Sequence, residues 1–356
     1  MPNSACRFAL LVVGAVSCSQ VQAAPAKDCA AQAAASQPAV SLRVDNDVFG
    51  GQDEGYSSGI QLMLVSSDLS GGLADDCRWP VTNWLGRRLR GLAPAESEQQ
   101  NLTFSFSQAI FTPSNRKWTT LKADDRPYAA VLLAGLGYNA RRGDRLQASL
   151  LQVGIVGPSA RGRQSQDLIH KLSGDDPFLG WDNQLHDEGV FRLLHERLQR
   201  HQPRTATLPD GDWRWDAVSH WGVGVGNLLT HANLGGELRW GPTLPDDFGS
   251  SPLRPAGART MGRGSSDSPA DAGALAGHAF FALDVRWVLW DLSLDGNAFE
   301  DSHHVDRKPL VADLGFGVAL TRGPWKFVIA RFHRTREFHG QKDLPVFGSV
   351  SVSRSF

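Results

Sequence analysis

Beyond its first two dozen residues, the 356-residue chain has no run of 18 apolar residues. That excludes a membrane-spanning helix. Cysteine is scarce, four in all, and none forms a C-x-x-C pair or stands beside a histidine cluster. A zinc site built on thiolates is thereby excluded. Charge of one sign is also missing: the formal net charge is -1, so the chain lacks the basic excess that nucleic-acid binding requires. There is no G-x-S-x-G elbow, no H-E-x-x-H and no P-loop. The templates of soluble serine hydrolases, zinc proteases and NTPases therefore do not apply.

What is present begins with a leader. Arg7 precedes the apolar run Phe8 to Val16, and the small and polar "SCSQVQA" ends at Ala23. These are the three parts of a secretory signal, so we expect residues 1–23 to be removed, residues 24–38 to form a tail, and one domain to span 39–356. In the oxidising compartment this implies, Cys29 and Cys77 can pair; the sequence leaves that open.

Glycine (37), tryptophan (11) and phenylalanine (17) are plentiful, and apolar residues alternate with small or polar ones. Trp213, Trp215, Ala217, Trp221, Val223 and Val225 share one parity, while Arg214, Asp216, His220, Gly222 and Gly224 share the other. A period of two is the signature of strands, and a polar second face sees water. From Val346 the chain ends in "VFGSVSVSRSF", with Val350, Val352 and Phe356 on one face and Ser349, Ser351, Ser353 and Ser355 on the other. A secreted chain with an apolar face outward and serines inward fits a transmembrane antiparallel β-barrel, because lipid leaves no water for an open sheet edge.

Twelve such segments are legible, near 39–47, 57–67, 100–111, 127–139, 144–156, 189–199, 211–225, 229–240, 278–290, 309–321, 324–337 and 346–356. Residues 241–277, rich in Gly, Pro, Ser and Asp, read as a long mobile loop, with a small lid hidden in it as the alternative. Between the fifth and sixth strands lies "RQSQDLIHKLSGDDPFLGWDNQLHDE", in what strand parity makes an extracellular loop. It has room for a short helix, on which Gln166 and His170 are spaced i to i+4 and share a face.

Three clusters can carry chemistry. "DNDVFGGQDEGYSSG" (45–59) offers the hard oxygens of Asn46, Asp47 and Ser57, suited to calcium or magnesium, though its spacing is not that of an EF-hand. "FTPSNRKWTTLKADDRPYA" (111–129) carries Arg116, Lys117, Lys122 and Arg126, cations able to hold anionic headgroups or polarise a carbonyl. In the third, His170 can act as a general base. Composition alone leaves His186, His303 and His304 as equal competitors.

At these same residues the chain resembles the outer-membrane lipid A 3′-O-deacylase family. The similarity runs through "DNDVFGGQDEGYSSGIQL", "TPS" with "DDRPYA", "VGIVGPSARGRQSQDLIHKLSG", "GWDNQLHDE" and "DGNAFEDSHHVDRKPLVADL" to the C-terminus. The resemblance implies a monomeric barrel in the bacterial outer membrane, among its lipids, that hydrolyses the 3′-linked acyloxyacyl ester of lipid A or lipopolysaccharide with Ca2+. It implies His170 as the base activating water, Asn46 as a further catalytic residue, and the metal with a basic side chain, Lys117 foremost over Arg116 and Lys122, at the oxyanion. Asp47, Ser57 and Asp176 are implied as metal ligands, and Gln166, Arg116, Arg126 and Phe178 as substrate contacts. Asp176 stands where the family pattern leads one to expect a glutamate, and Phe178 where a tyrosine can occur. A phospholipase on the same scaffold and a non-catalytic pore or adhesin are the alternative readings.

Overall fold

The computed structural model describes residues 38–47, 55–69, 84, 97–174, 176–202, 213–242, 244–250 and 275–356. The expected signal and both Cys29 and Cys77 lie outside the described residues. The strands are β1 (Ala39–Asn46), β2 (Gly55–Val65), β3 (Gln99–Thr112), β4 (Ala129–Arg142), β5 (Arg145–Val156), β6 (Glu188–His201), β7 (Arg214–Val225), β8 (Leu229–Gly241), β9 (Leu275–Asp291), β10 (Leu310–Arg322), β11 (Trp325–Arg334) and β12 (Val346–Ser355). Each pairs with its sequence neighbour, and β1 pairs antiparallel with β12, closing the barrel. Closure leaves no strand edge to be satisfied by water, which lipid cannot supply.

Period-two alternation decides what each face does. Leu42, Val44, Ile60, Leu62, Phe106, Trp221, Phe281 and Trp287 point outward and are between about a third and three-fifths exposed, as lipid-facing side chains are. The opposite parity fills the lumen with charge. Arg286 and Arg334 share Asp313 at 2.7 and 2.6 Å, and Arg334 and Arg126 share Glu337 at 3.1 and 3.2 Å. Burial pushes the Glu337 carboxyl up, but Arg334, Arg126 and Arg286 outweigh that and hold it below its ordinary range.

The segment expected to be a mobile loop departs from expectation in its described part. Residues 244–250, after β8, turn into the barrel end that carries the chain termini. Asp247 pairs with Arg239 and with Lys326 Nζ, the latter at 2.6 Å. Asp246 pairs with Arg141 at 2.7 Å and with Arg200. Ser250 donates its backbone N–H to Glu237, and Phe248 packs among Leu146, Leu198 and Val218. The physical reason is complementarity: inward cations from four strands, partly met by Asp216 and Asp144, leave positive charge that two adjacent aspartates neutralise.

At the opposite end lie the odd-to-even connections. The longest described one, between β5 and β6, builds a 3-10 turn at Pro158–Ala160 and then α1 (Gly162–Ser173). A second short helix, α2 (Leu292–Asp295), follows β9.

Candidate active site

The register of four neighbouring strands draws one row across the outer wall. Asn46 faces Ser58, Ser58 faces Ile110, and Ile110 faces Ala130. Two residues further along β1 and β2 the same face is lipid-exposed, with Val44 and Ile60 at 37% and 48%. In the row itself Ser58, Ile110 and Ala130 are 7%, 1% and 0% exposed. Something covers the wall here, and much of that cover is α1 with the segment that follows it.

The cover is seated by contacts that only small residues permit. A Cβ on Gly162 would stand 2.3 Å from Ala130 Cβ and 2.9 Å from Trp181 Cη2, so the helix starts flush against β4 and the indole. Gln108 on β3 donates from Nε2 to the Ala160 carbonyl at 2.6 Å, pinning the turn before α1. Arg161 begins the helix with φ 60°, and Gly174 ends it with φ 83°, its N–H bonding the His170 carbonyl. Ile110, Tyr128, Ala130, Ala160, Phe178 and Trp181 form one apolar cluster between wall and cover.

His170 and Gln166 share the buried face of α1, 7% and 2% exposed. His170 Nδ1 lies 2.7 Å from the Asp176 carbonyl. A carbonyl only accepts, so Nδ1 carries the proton of the neutral ring and Nε2 carries the lone pair, the form a general base needs. Phe178 meets the ring edge-on, centroids 5.6 Å apart. Gln166 Oε1 accepts from Trp181 Nε1 at 3.0 Å.

The β3–β4 connection is stitched to the segment after α1. Leu179 N donates to the Arg116 carbonyl at 2.9 Å, and Asn183 Nδ2 donates to the Thr119 carbonyl at 2.9 Å. Lys117, in this loop, is exposed; Lys122 lies 5.0 Å from the centre of the Trp118 ring. Asp47 is buried at the end of β1. Ser57 falls at the irregularity between Tyr56 and Ser58 in the β2–β3 pairing, a bulge of the kind that re-aims a strand locally.

This architecture and its sequence match one family model, described as outer membrane protein LpxR, over residues 10–356. The chain belongs to the LpxR family. It is therefore an outer-membrane protein, with the closed barrel such a location requires. Among solved structures it is similar to LpxR from Salmonella typhimurium, at TM-score 0.66 and 18% identity over 89% of this chain and 100% of that one. A weaker likeness joins it to the β domain of the Bordetella autotransporter BrkA, at TM-score 0.42 and 11% identity over 90% of this chain and 100% of that one. No curated protein matches the sequence significantly.

Within this LpxR-type barrel, two residues sit differently from the sequence-based expectation. Arg126, expected at a substrate phosphate, is turned inward and almost fully buried. It donates to Glu337 at 3.2 Å and Ser293 at 3.0 Å, and its guanidinium carbon lies 4.9 Å from the centre of the Phe111 ring. An uncompensated lumen carboxylate would be strongly unfavourable, and Arg126 is one of the cations that neutralise it. The side chain of Asp176 is exposed, and it is its main-chain carbonyl that reaches His170. Conversely, Trp181, Gly162 and Ala130 hold the site together without having been singled out; the Gly-Trp pair of "GWDNQ" was their one visible trace.

The competing histidines are separated by their surroundings. His186 pairs with Glu300 at 3.0 Å, both well exposed. His303 Nε2 bonds the Asp125 carbonyl at 2.7 Å, and His304 the Ser302 carbonyl at 3.0 Å. Of the four, His170 alone lies between α1 and the outer wall.

Proposed function

We propose that the protein hydrolyses the 3′-linked acyloxyacyl ester of lipid A in the outer leaflet, with calcium, His170 removing a proton from the attacking water. One observation carries this reading: His170, its Nδ1 on the Asp176 carbonyl, is held under a helix laid against the outer wall of a barrel. A lipid ester can reach such a helix–wall junction sideways from the bilayer. Leu168 and Ile169 on α1 are 59% and 38% exposed, apolar side chains suited to the acyl-chain region beside that entrance.

The donors at the strand ends fit a hard cation. Asn46, Asp47 and Ser57 offer amide, carboxylate and hydroxyl oxygens, the ligand class calcium takes together with carbonyls and water. Among the described residues no group of three or more His, Cys, Asp or Glu is arranged to hold a metal ion, so the site would lean on Asp47 and neutral oxygens. Bound there, calcium supplies Lewis-acid stabilisation of the oxyanion. His170 takes the water proton on Nε2, the Asp176 carbonyl holds the ring as it becomes charged, and the apolar cluster of Tyr128, Phe178 and Trp181 limits competing water. Lys117, exposed in the tethered loop, supplies a cation for the oxyanion or a substrate phosphate, with Arg116 beside it.

A pore is the reading the lumen argues against, since residues 244–250 occupy its terminal end. The decisive experiment is mass spectrometry of lipid A from a host lacking such an enzyme, after expression with and without chelator. Calcium-dependent loss of the 3′-linked acyloxyacyl unit is expected. Unchanged lipid A despite correct insertion would overturn the proposal, and fatty acid released from phospholipid instead would reassign the substrate.

A further inference from the structure

The Gln166 amide has one oxygen and one NH2, and they are not equivalent here. Trp181 Nε1 is only a donor, so the atom it meets at 3.0 Å must be the amide oxygen. That fixes which way the side chain faces. The remaining nitrogen, Gln166 Nε2, is buried and finds no acceptor, on a residue 2% exposed. Buried polar groups are seldom left so, because desolvation without a partner is unfavourable by about 1–3 kcal/mol. A donor kept in that condition beside a general base awaits an acceptor that arrives with the substrate.

The indole itself is tightly packed. Trp181 is 1% exposed, packs at 5.1 Å centroid distance on Tyr128, and has Gly162 against its ring edge. His170 stands one helical turn from Gln166 on the same buried face. The N–H of the amide and the imidazole of His170 thus lie on one buried helix face, a donor and a base together.

We propose that Trp181 is a positioning residue that locks Gln166 with its NH2 toward the substrate, where it donates to an oxygen of the scissile acyl ester as negative charge develops there. Gln166 in this arrangement is a donor and not a metal ligand, since ligation would need the oxygen that Trp181 holds. The inference rests on the ester-hydrolase reading above.

The test uses full-length protein in detergent micelles, with purified lipid A and calcium, comparing wild type with Gln166→Met, Gln166→Glu, Trp181→Phe and the Trp181→Phe/Gln166→Met pair. Loss of the donor in Gln166→Met should lower kcat about 100-fold with KM nearly unchanged, the usual scale for one oxyanion donor. Gln166→Glu, which still accepts from the indole but cannot donate, should lose as much. Trp181→Phe should lose about tenfold, and the double variant no more than Gln166→Met alone, because the indole acts only through the amide. Losses that multiply in the double variant would overturn the positioning role. Activity kept in Gln166→Glu with tighter calcium binding would overturn the donor role in favour of ligation.

A second readout does not depend on turnover. The Trp181 indole N–H resonance of 15N-tryptophan-labelled protein should shift and exchange faster in Gln166→Met but stay protected in Gln166→Glu; an unmoved resonance in Gln166→Met would overturn the hydrogen bond. Wild type inactive on lipid A would sink the ester-hydrolase reading and the donor role with it. Active wild type alongside active Gln166→Met would sink this inference alone.

Discussion

In the lumen, Asp313 receives Arg286 and Arg334 at 2.7 and 2.6 Å, and Glu337 receives Arg334 and Arg126. On the outer wall, beneath α1, the Gln166 amide uses its oxygen and leaves its nitrogen without an acceptor. Both regions are polar and both are buried, yet these lumen charges are met by opposite charges, whereas the amide keeps its donor unmet. Buried charge inside a barrel must be paired, or the protein loses several kcal/mol for each unpaired group. A binding site instead keeps its unmet capacity for the ligand, so density of polar side chains marks the frame and sparsity marks the groove.

Removing one residue from each region should therefore give opposite phenotypes. His170→Ala is expected to cut deacylation about 1,000-fold or more, the range of a general base, while the heat-modifiable migration of the folded barrel on gels stays that of wild type. Loss of the folded band along with activity would mean that His170 belongs to the frame. Asp247→Ala should do the reverse. It leaves Arg239 and Lys326 facing each other without their shared carboxylate, destabilising the terminal end by about 3 kcal/mol. Stepwise conductance in planar bilayers should appear where wild type is silent, with deacylation within about twofold. A conducting wild type, or a variant as silent as it, would break the plug assignment.

The two regions were also unequally legible in the sequence. Strand positions came through within a few residues because alternation is written locally. The short helix expected to carry Gln166 and His170 spans Gly162–Ser173 for the same reason. The lumen pairs could not be seen: Arg126 meets Glu337 across 211 positions and Asp246 meets Arg141 across 105. A Gly, Pro, Ser and Asp composition describes a loose loop and an anchored plug equally well, so residues 244–250 were misread. At the groove, His170 with Gln166 was visible as an i to i+4 pair. Trp181 was not ranked, because its partner lies across a break in secondary structure.

A smaller perturbation separates the groove's shape from its chemistry. Gly162→Ala puts a methyl where Ala130 Cβ and the Trp181 ring already stand, at 2.3 and 2.9 Å, so α1 must lift from the wall. We expect about a tenfold drop in kcat/KM with the melting temperature nearly unchanged, since the shift is local. Ala130→Gly in the same chain removes the opposing methyl and should restore most of the rate. Failure of that second change to help would place the fault in the helix rather than in its seat.

The least effect is expected from acid, and its direction follows from the plug. Burial pushes the Asp247 carboxyl up, but Lys326 and Arg239 outweigh burial and hold it below the ordinary aspartate range. A depressed folded-state value means that the group's stabilising contribution is fully present above the unfolded value of about 3.9 and is lost as pH falls through the folded one. Lowering the pH from 8 to about 4.5 should therefore leave the planar-bilayer silence of wild type intact, although free carboxylates are by then beginning to take up protons. Opening should begin only in stronger acid. Conductance that rises already between pH 6 and 5 would show that groups other than Asp247 hold the plug in place.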